Sequence, residues 1–153
     1  MDVLHTEQTR SFQNCEAAIR KILSKKAIPF VIGGDHAITT PILRAFDRFD
    51  NLCVIHFDAH LDFSKNPYGI AEGPGSPMRR ASEMAHISKI VQIGIRGIGS
   101  SQLSDFQDAE AYGNTIITSR QVRQKGVEWV ASCIPQAEHY YICLLYTSDA
   151  ADD

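Results

Sequence analysis

The chain has 153 residues, 44% hydrophobic and 22% charged, with a formal charge of −3. That is room for one globular domain, and the slight acidity gives no electrostatic footing for nucleic acid or an anionic membrane surface. No apolar run approaches the length of a membrane span, and the polar start Met1-Asp2-Val3-Leu4-His5-Thr6 lacks the order of a signal peptide. Cys15, Cys53, Cys133 and Cys143 show no Cys-x-x-Cys spacing. Together these features point to a reducing, cytoplasmic setting without disulfides.

Residues from about Thr6 to Ala27 read as an amphipathic helix, with Phe12, Cys15, Ala18, Ile19, Ile22 and Leu23 at helical spacing. Pro29-Phe30-Val31-Ile32 reads as a short strand that runs into Gly33-Gly34-Asp35-His36. A second helix is expected from Thr39 to Phe49, with Pro41 in its first turn. The apolar run Leu52 to Phe57 is the expected central strand of a parallel sheet.

A Gly- and Pro-rich segment from Phe63 to Pro77 is too long for a plain connector, and such loops are usually functional. Beyond it come a short helix, Met78 to Met84, and a third strand, Lys89 to Arg96. A helix from Ser101 to Tyr112 follows, with Ser100 and Ser101 as caps at its start and Gly113 at its end. Thr115-Ile116-Ile117 is a fourth strand. Thr118 and Gln121 have capping-box spacing for the next helix, in which Trp129 reads as packing. In the fifth strand, Tyr140 to Leu144, one of the paired tyrosines should face the core. Strands alternating with helices predict an α/β fold with a parallel sheet, its chemistry gathered beyond the carboxyl ends of the strands.

The stretch that carries chemistry is Asp58-Ala59-His60-Leu61-Asp62, at the end of the central strand. In an extended chain its two carboxylates and its imidazole would share one face. Like charges that close, and partly buried, disfavour each other, and a multivalent cation removes the conflict. His36 follows another strand end and can converge on the same place. Carboxylates and imidazoles without thiolate suit Mn²⁺, Zn²⁺ or Fe²⁺, and the expected reaction class is metal-assisted hydrolysis. His56 lies in phase with these residues but deeper in the strand, and reads as structural.

Gly33-Gly34-Asp35-His36, Phe57-Asp58-Ala59-His60-Leu61-Asp62, Gly75-Ser76-Pro77-Met78-Arg79-Arg80-Ala81 and Gln92-Ile93-Gly94-Ile95-Arg96-Gly97 together resemble the ureohydrolase family. This is the arginase and agmatinase group, with the agmatinases nearest. The resemblance implies a three-layer αβα arginase-like fold, incomplete here, and a site for two Mn²⁺ ions. His36 and Asp62 would hold the first ion, His60 the second, and Asp58 would bridge them. Asp35 stays outside that set. The implied reaction is hydrolysis of a small guanidino substrate to urea and an amine, which for agmatine is putrescine. Guanidinobutyrate, arginine or formiminoglutamate are alternative substrates, and a full-length protein would be a homo-oligomer.

Two departures from the family pattern stand out. Pro74 occupies the place of a loop histidine that shuttles protons to the leaving amine, with Glu72 the nearest substitute. After the last strand the family has Asp-x-Asp, whereas this chain reads Leu145-Tyr146-Thr147-Ser148-Asp149-Ala150-Ala151-Asp152-Asp153. The expectation is a partial ureohydrolase domain over 1–144 and a foreign tail over 145–153. Asp149, Asp152 and Asp153 would not replace the missing ligands, and the chain alone would be an inactive remnant with exposed sheet edges. Arg79 and Arg80 are expected on a solvated or ion-paired helix face, and Arg96 in a structural or subunit-contact role.

Overall fold

A computed structural model describes residues 7–66, 69–99 and 101–145. The first helix, α1 (Gln8–Ser24), buries Phe12, Cys15 and Ile19 on one stripe. A short turn of 3₁₀ helix (His36–Ile38) leads into α2 (Thr39–Arg44). α2 is shorter than the expected Thr39 to Phe49. The Arg20 guanidinium donates to the Arg44 carbonyl at 3.0 Å and pairs with Asp47, and this holds the chain in tight turns beyond Arg44.

Then come β1 (Leu52–Phe57), α3 (Pro77–Ser82), β2 (Ile87–Ile95), α4 (Leu103–Ala111), β3 (Thr115–Thr118), α5 (Ser119–Ser132) and β4 (His139–Leu144). The strands form one parallel sheet in the order β3-β2-β1-β4. Register puts Val54, Ile90 and Tyr141 on one face, where Leu43, Leu61, Phe63 and Met78 cover them. The alternate residues Cys53, Ile55, Val91, Ile93 and Ile117 lie on the other face, packed on Val130 of α5. Helices on both faces give the three-layer α/β arrangement. α5 contacts β2 and β3, and beyond its cover Ile142 and Leu144 of β4 remain exposed.

Several local signals read from sequence are present. Gly113 closes α4 at φ +85°, a left-handed position that favours glycine. Thr118 and Gln121 bond reciprocally to cap α5. Tyr141 packs inward, whereas Tyr140 turns out and donates its hydroxyl to the Pro135 carbonyl. Trp129 packs against the α5-side core, with Lys125 over its ring.

Other expectations are corrected. Pro29 to Ile32 pairs with no strand among the described residues, and Phe30 and Ile32 are 85% and 84% exposed. A parallel strand forms only against a neighbour, and none of the described strands lies beside this segment. α4 is capped by the Gln102–Asp105 pair in place of Ser101, whose hydroxyl is buried without a partner. Ser100 and the segment 146–153, with Asp149, Asp152 and Asp153, lie outside the described residues.

Arg79 is not on a solvated face. It is buried, donates to the Phe63 carbonyl at 2.7 Å, and pairs with Asp105 at 3.3 Å and Asp108 at 2.6 Å. Its guanidinium also lies 4.7 Å from the centre of the Phe63 ring. Arg79 thus ties the long loop to α4. Arg80 makes the expected helical pair with Glu83.

Candidate metal centre

β1 ends at Phe57, so Asp58 to Asp62 do not continue the extended strand. The Asp58 N–H still bonds the Ile93 carbonyl, and the Ala59 carbonyl then accepts from Arg96 and Gly97. The chain peels away from the sheet edge, burying Ala59 and Leu61. It closes with Asp62 at φ +49°, an uncommon conformation for a non-glycine residue. Convergence of the acidic groups therefore comes from a turn, where an alternating strand had been expected. Gly94 permits this path, because a Cβ there would stand 3.1 Å from the Asp58 carbonyl oxygen.

His36 arrives from the other side. The Asp35 carboxylate accepts from the Ala37 N–H at 2.9 Å and caps the short turn that begins with His36. The His36 Nδ1 lies 2.6 Å from Asp62 Oδ2 and 4.0 Å from Asp58 Oδ2. The second oxygen, Asp58 Oδ1, faces His60, accepting its backbone N–H at 3.0 Å with the ring Nδ1 at 3.6 Å. One oxygen of this carboxylate thus faces His60, and the other faces His56 at 3.1 Å and, farther off, His36. His60 is partly exposed, and its ring lies against Gly97 and Gly99, where added Cβ atoms would stand 3.0 and 2.8 Å from its Cδ2.

The chemistry of the donor set fits a divalent cation. His36, His56, Asp58 and Asp62 each offer an atom within 4.8 Å of the others, and all four are buried. His36, His56 and Cys143 form a second such group, with Cys143 Sγ 3.6 Å from His36 Nε2. Burial alone would push His36 down, but its bonds to Asp62 and Cys143 prevail and raise its pKa to about 9. Burial likewise opposes the charge on Asp58. The His56 and His60 hydrogen bonds and the neighbouring imidazoles overcome it and hold the carboxyl below its ordinary range. Burial keeps His56 neutral, lowering its pKa.

Sequence reasoning missed Gln92, Asn114, Cys143, Gly97 and Gly99 as neighbours of this site. One signal was available: Gln92 is a polar residue inside the apolar run Ile90-Val91-Gln92-Ile93. Glu72 does not stand free to replace a proton shuttle. Its carboxylate is paired with Arg44, and it lines a cavity with Gln8, Thr9, Phe12, Gln13 and Glu16 of the α1 region. Arg96 is exposed beyond β2 and donates to the Gly94 carbonyl. Among the described residues no helix is long and apolar enough to cross a membrane.

Comparison with known proteins gives the family and the fold. The model of the Arginase family matches residues 1–148. A guanidinopropionase of Pseudomonas aeruginosa is 37% identical over 125 residues, covering 77% of this chain and 38% of its own length. The mitochondrial agmatinase of Gallus gallus is 37% identical over 90 residues, covering 57% of this chain and 26% of its own. The structure of proclavaminate amidino hydrolase from Streptomyces clavuligerus superposes with a TM-score of 0.80 at 27% identity, over 92% of this chain and 48% of that one. The chain spans about a third of the length of the curated relatives it matches.

Proposed function

The chain belongs to the arginase family, and on that premise we propose that it carries part of the centre of a manganese-dependent, agmatinase-like ureohydrolase. The reaction is hydrolysis of the guanidino group of agmatine to putrescine and urea. The observation that carries the reading is the placement of Asp58, with Oδ1 toward His60 and Oδ2 3.1 Å from His56 and 4.0 Å from His36, which itself pairs with Asp62. In this reading His36, Asp62 and Asp58 would hold one Mn²⁺, and His60 with the same Asp58 would hold the other. Such a metal pair, when bound, polarises and acidifies water for attack at a guanidino carbon.

The residues of this chain do the holding and orienting. His36 presents Nδ1 beside Asp62 while its Nε2 points at Cys143, so each ring nitrogen has a defined neighbour. His60 takes its orientation from the glycines against its ring. The whole protein is proposed to act as a homo-oligomer on a small guanidino substrate, in the cytoplasm.

A second reading has its own support. A guanidinopropionase and a guanidinobutyrase stand among the relatives at 37% and 32% identity, alongside the agmatinases, and they support a guanidino acid as the other candidate substrate. The test is urea release by the Mn²⁺-loaded whole protein from agmatine, guanidinopropionate, guanidinobutyrate and arginine. Urea with putrescine from agmatine is the expected result. Urea from guanidino acids alone would transfer the assignment to the second reading, and no urea from any of the four would remove the hydrolase reading.

A further inference from the structure

His56 is buried near the carboxyl end of β1, in register with Gln92 of β2 on one side and Cys143 of β4 on the other. Gln92 Nε2 donates to the Leu61 carbonyl at 2.6 Å, which fixes which end of the amide points there. Its oxygen, Oε1, accepts from Asn114 Nδ2 at 3.3 Å. The other hydrogen on Gln92 Nε2 meets His56 Nδ1 at 3.2 Å. An amide nitrogen only donates, so Nδ1 has to accept. A neutral imidazole that accepts at Nδ1 carries its proton on Nε2, and that nitrogen lies 3.1 Å from Asp58 Oδ2.

We propose that Asn114, Gln92 and His56 form a buried relay of hydrogen bonds that locks His56 as the Nε2–H tautomer, a positioning donor to Asp58 excluded from metal coordination. The exclusion follows from the donor count. Binding a cation through Nε2 would move the proton to Nδ1 and aim it at the amide hydrogens of Gln92. Gln92 cannot turn over to accept it without facing its oxygen at the Leu61 carbonyl. Two buried groups would then lose their partners, and unpaired buried polar groups are costly. His56 therefore stands within ligand distance of both donor groups and joins neither. Asp58 is held twice instead, at Oδ2 by His56 and at Oδ1 by the His60 N–H. The metal consequence rests on Asp58 being a ligand, as proposed above, whereas the tautomer does not.

The test is ¹⁵N NMR of the metal-free protein with labelled histidine, joined to Mn²⁺ titrations of the wild type and Gln92→Leu. The wild type should show His56 protonated at Nε2 and bare at Nδ1. Gln92→Leu should lose that bias and bind Mn²⁺ about 10–100-fold more weakly, the usual effect of removing an outer-shell partner. A His56 protonated at Nδ1 in the wild type overturns the proposal, as does a folded Gln92→Leu with the tautomer unchanged. If Gln92→Leu does not fold, the wild-type tautomer decides alone. The expected tautomer in a protein that binds no Mn²⁺ would uphold the relay and reject the metal reading separately.

Discussion

His36 and Asp62 stand 2.6 Å apart, Nδ1 to Oδ2, although 26 residues separate them in the chain. Two elements supply them: the short capped turn after Gly33-Gly34 and the left-handed bend that ends at Asp62. Asp62→Asn keeps the shape and removes the negative charge. The substitution should weaken Mn²⁺ binding at least about tenfold, read by titration. Unchanged affinity would take Asp62 out of the ligand set.

Gly97 packs against the His60 ring without a left-handed backbone, so its replacement tests space alone. Gly97→Ala puts a methyl 3.0 Å from His60 Cδ2. Because the His60 side chain is partly exposed, it can move aside, and the fold should lose no more than about 1 kcal/mol. Mn²⁺ affinity should nevertheless fall, as His60 leaves Asp58 Oδ1. A variant with wild-type metal affinity would show that His60 is not held by this contact.

Arg79 is a structural tie. Removing one member of a buried charge network leaves the others unpaired, at a cost of about 3–5 kcal/mol. Arg79→Met should be destabilised to that extent in urea unfolding, tempered because Asp108 is half exposed. Arg79→Lys should recover only part of it, since an ammonium lacks the fork that reaches Phe63, Asp105 and Asp108 together. A loss under 1 kcal/mol for the methionine variant would contradict this role.

The four cysteines are unpaired, and they differ in access. Cys15, Cys53 and Cys143 are buried, and burial pushes the Cys15 and Cys53 thiols up, away from the reactive thiolate. Cys133, at the end of α5, is only partly buried. Brief alkylation of the native protein followed by mass spectrometry should find Cys133 modified first. Equal labelling of Cys53 would mean that the β1 core opens readily.

What could be read from sequence was what local rules determine. The central strand, the Thr118–Gln121 cap and the Gly113 stop depend on residues a few positions apart, and all three are present. The exposure of Phe30 and Ile32 is not legible, because an apolar run says that a segment wants a partner and says nothing of whether one is at hand. Arg79 was misjudged because its acids lie 26 and 29 residues away on α4. The Asp58 to Asp62 cluster was legible as a set, but its shape was not, since the turn at Asp62 breaks the alternation of an extended strand. Gln92 and Asn114 become visible only when strand register sets them beside His56.

The central claim is that Asp58, with His36, His60 and Asp62, binds divalent metal. The most direct test is thermal unfolding of the wild type and Asp58→Asn, with and without Mn²⁺ and after chelation. A ligand that binds only the folded state stabilises it by about 2.7 kcal/mol at a hundredfold excess over its Kd, roughly 5–10 °C for a chain of this size. The account predicts that rise in the wild type, its reversal by chelator, and no rise in Asp58→Asn. A wild type whose melting ignores Mn²⁺, or an Asp58→Asn that gains as much as the wild type, would contradict it.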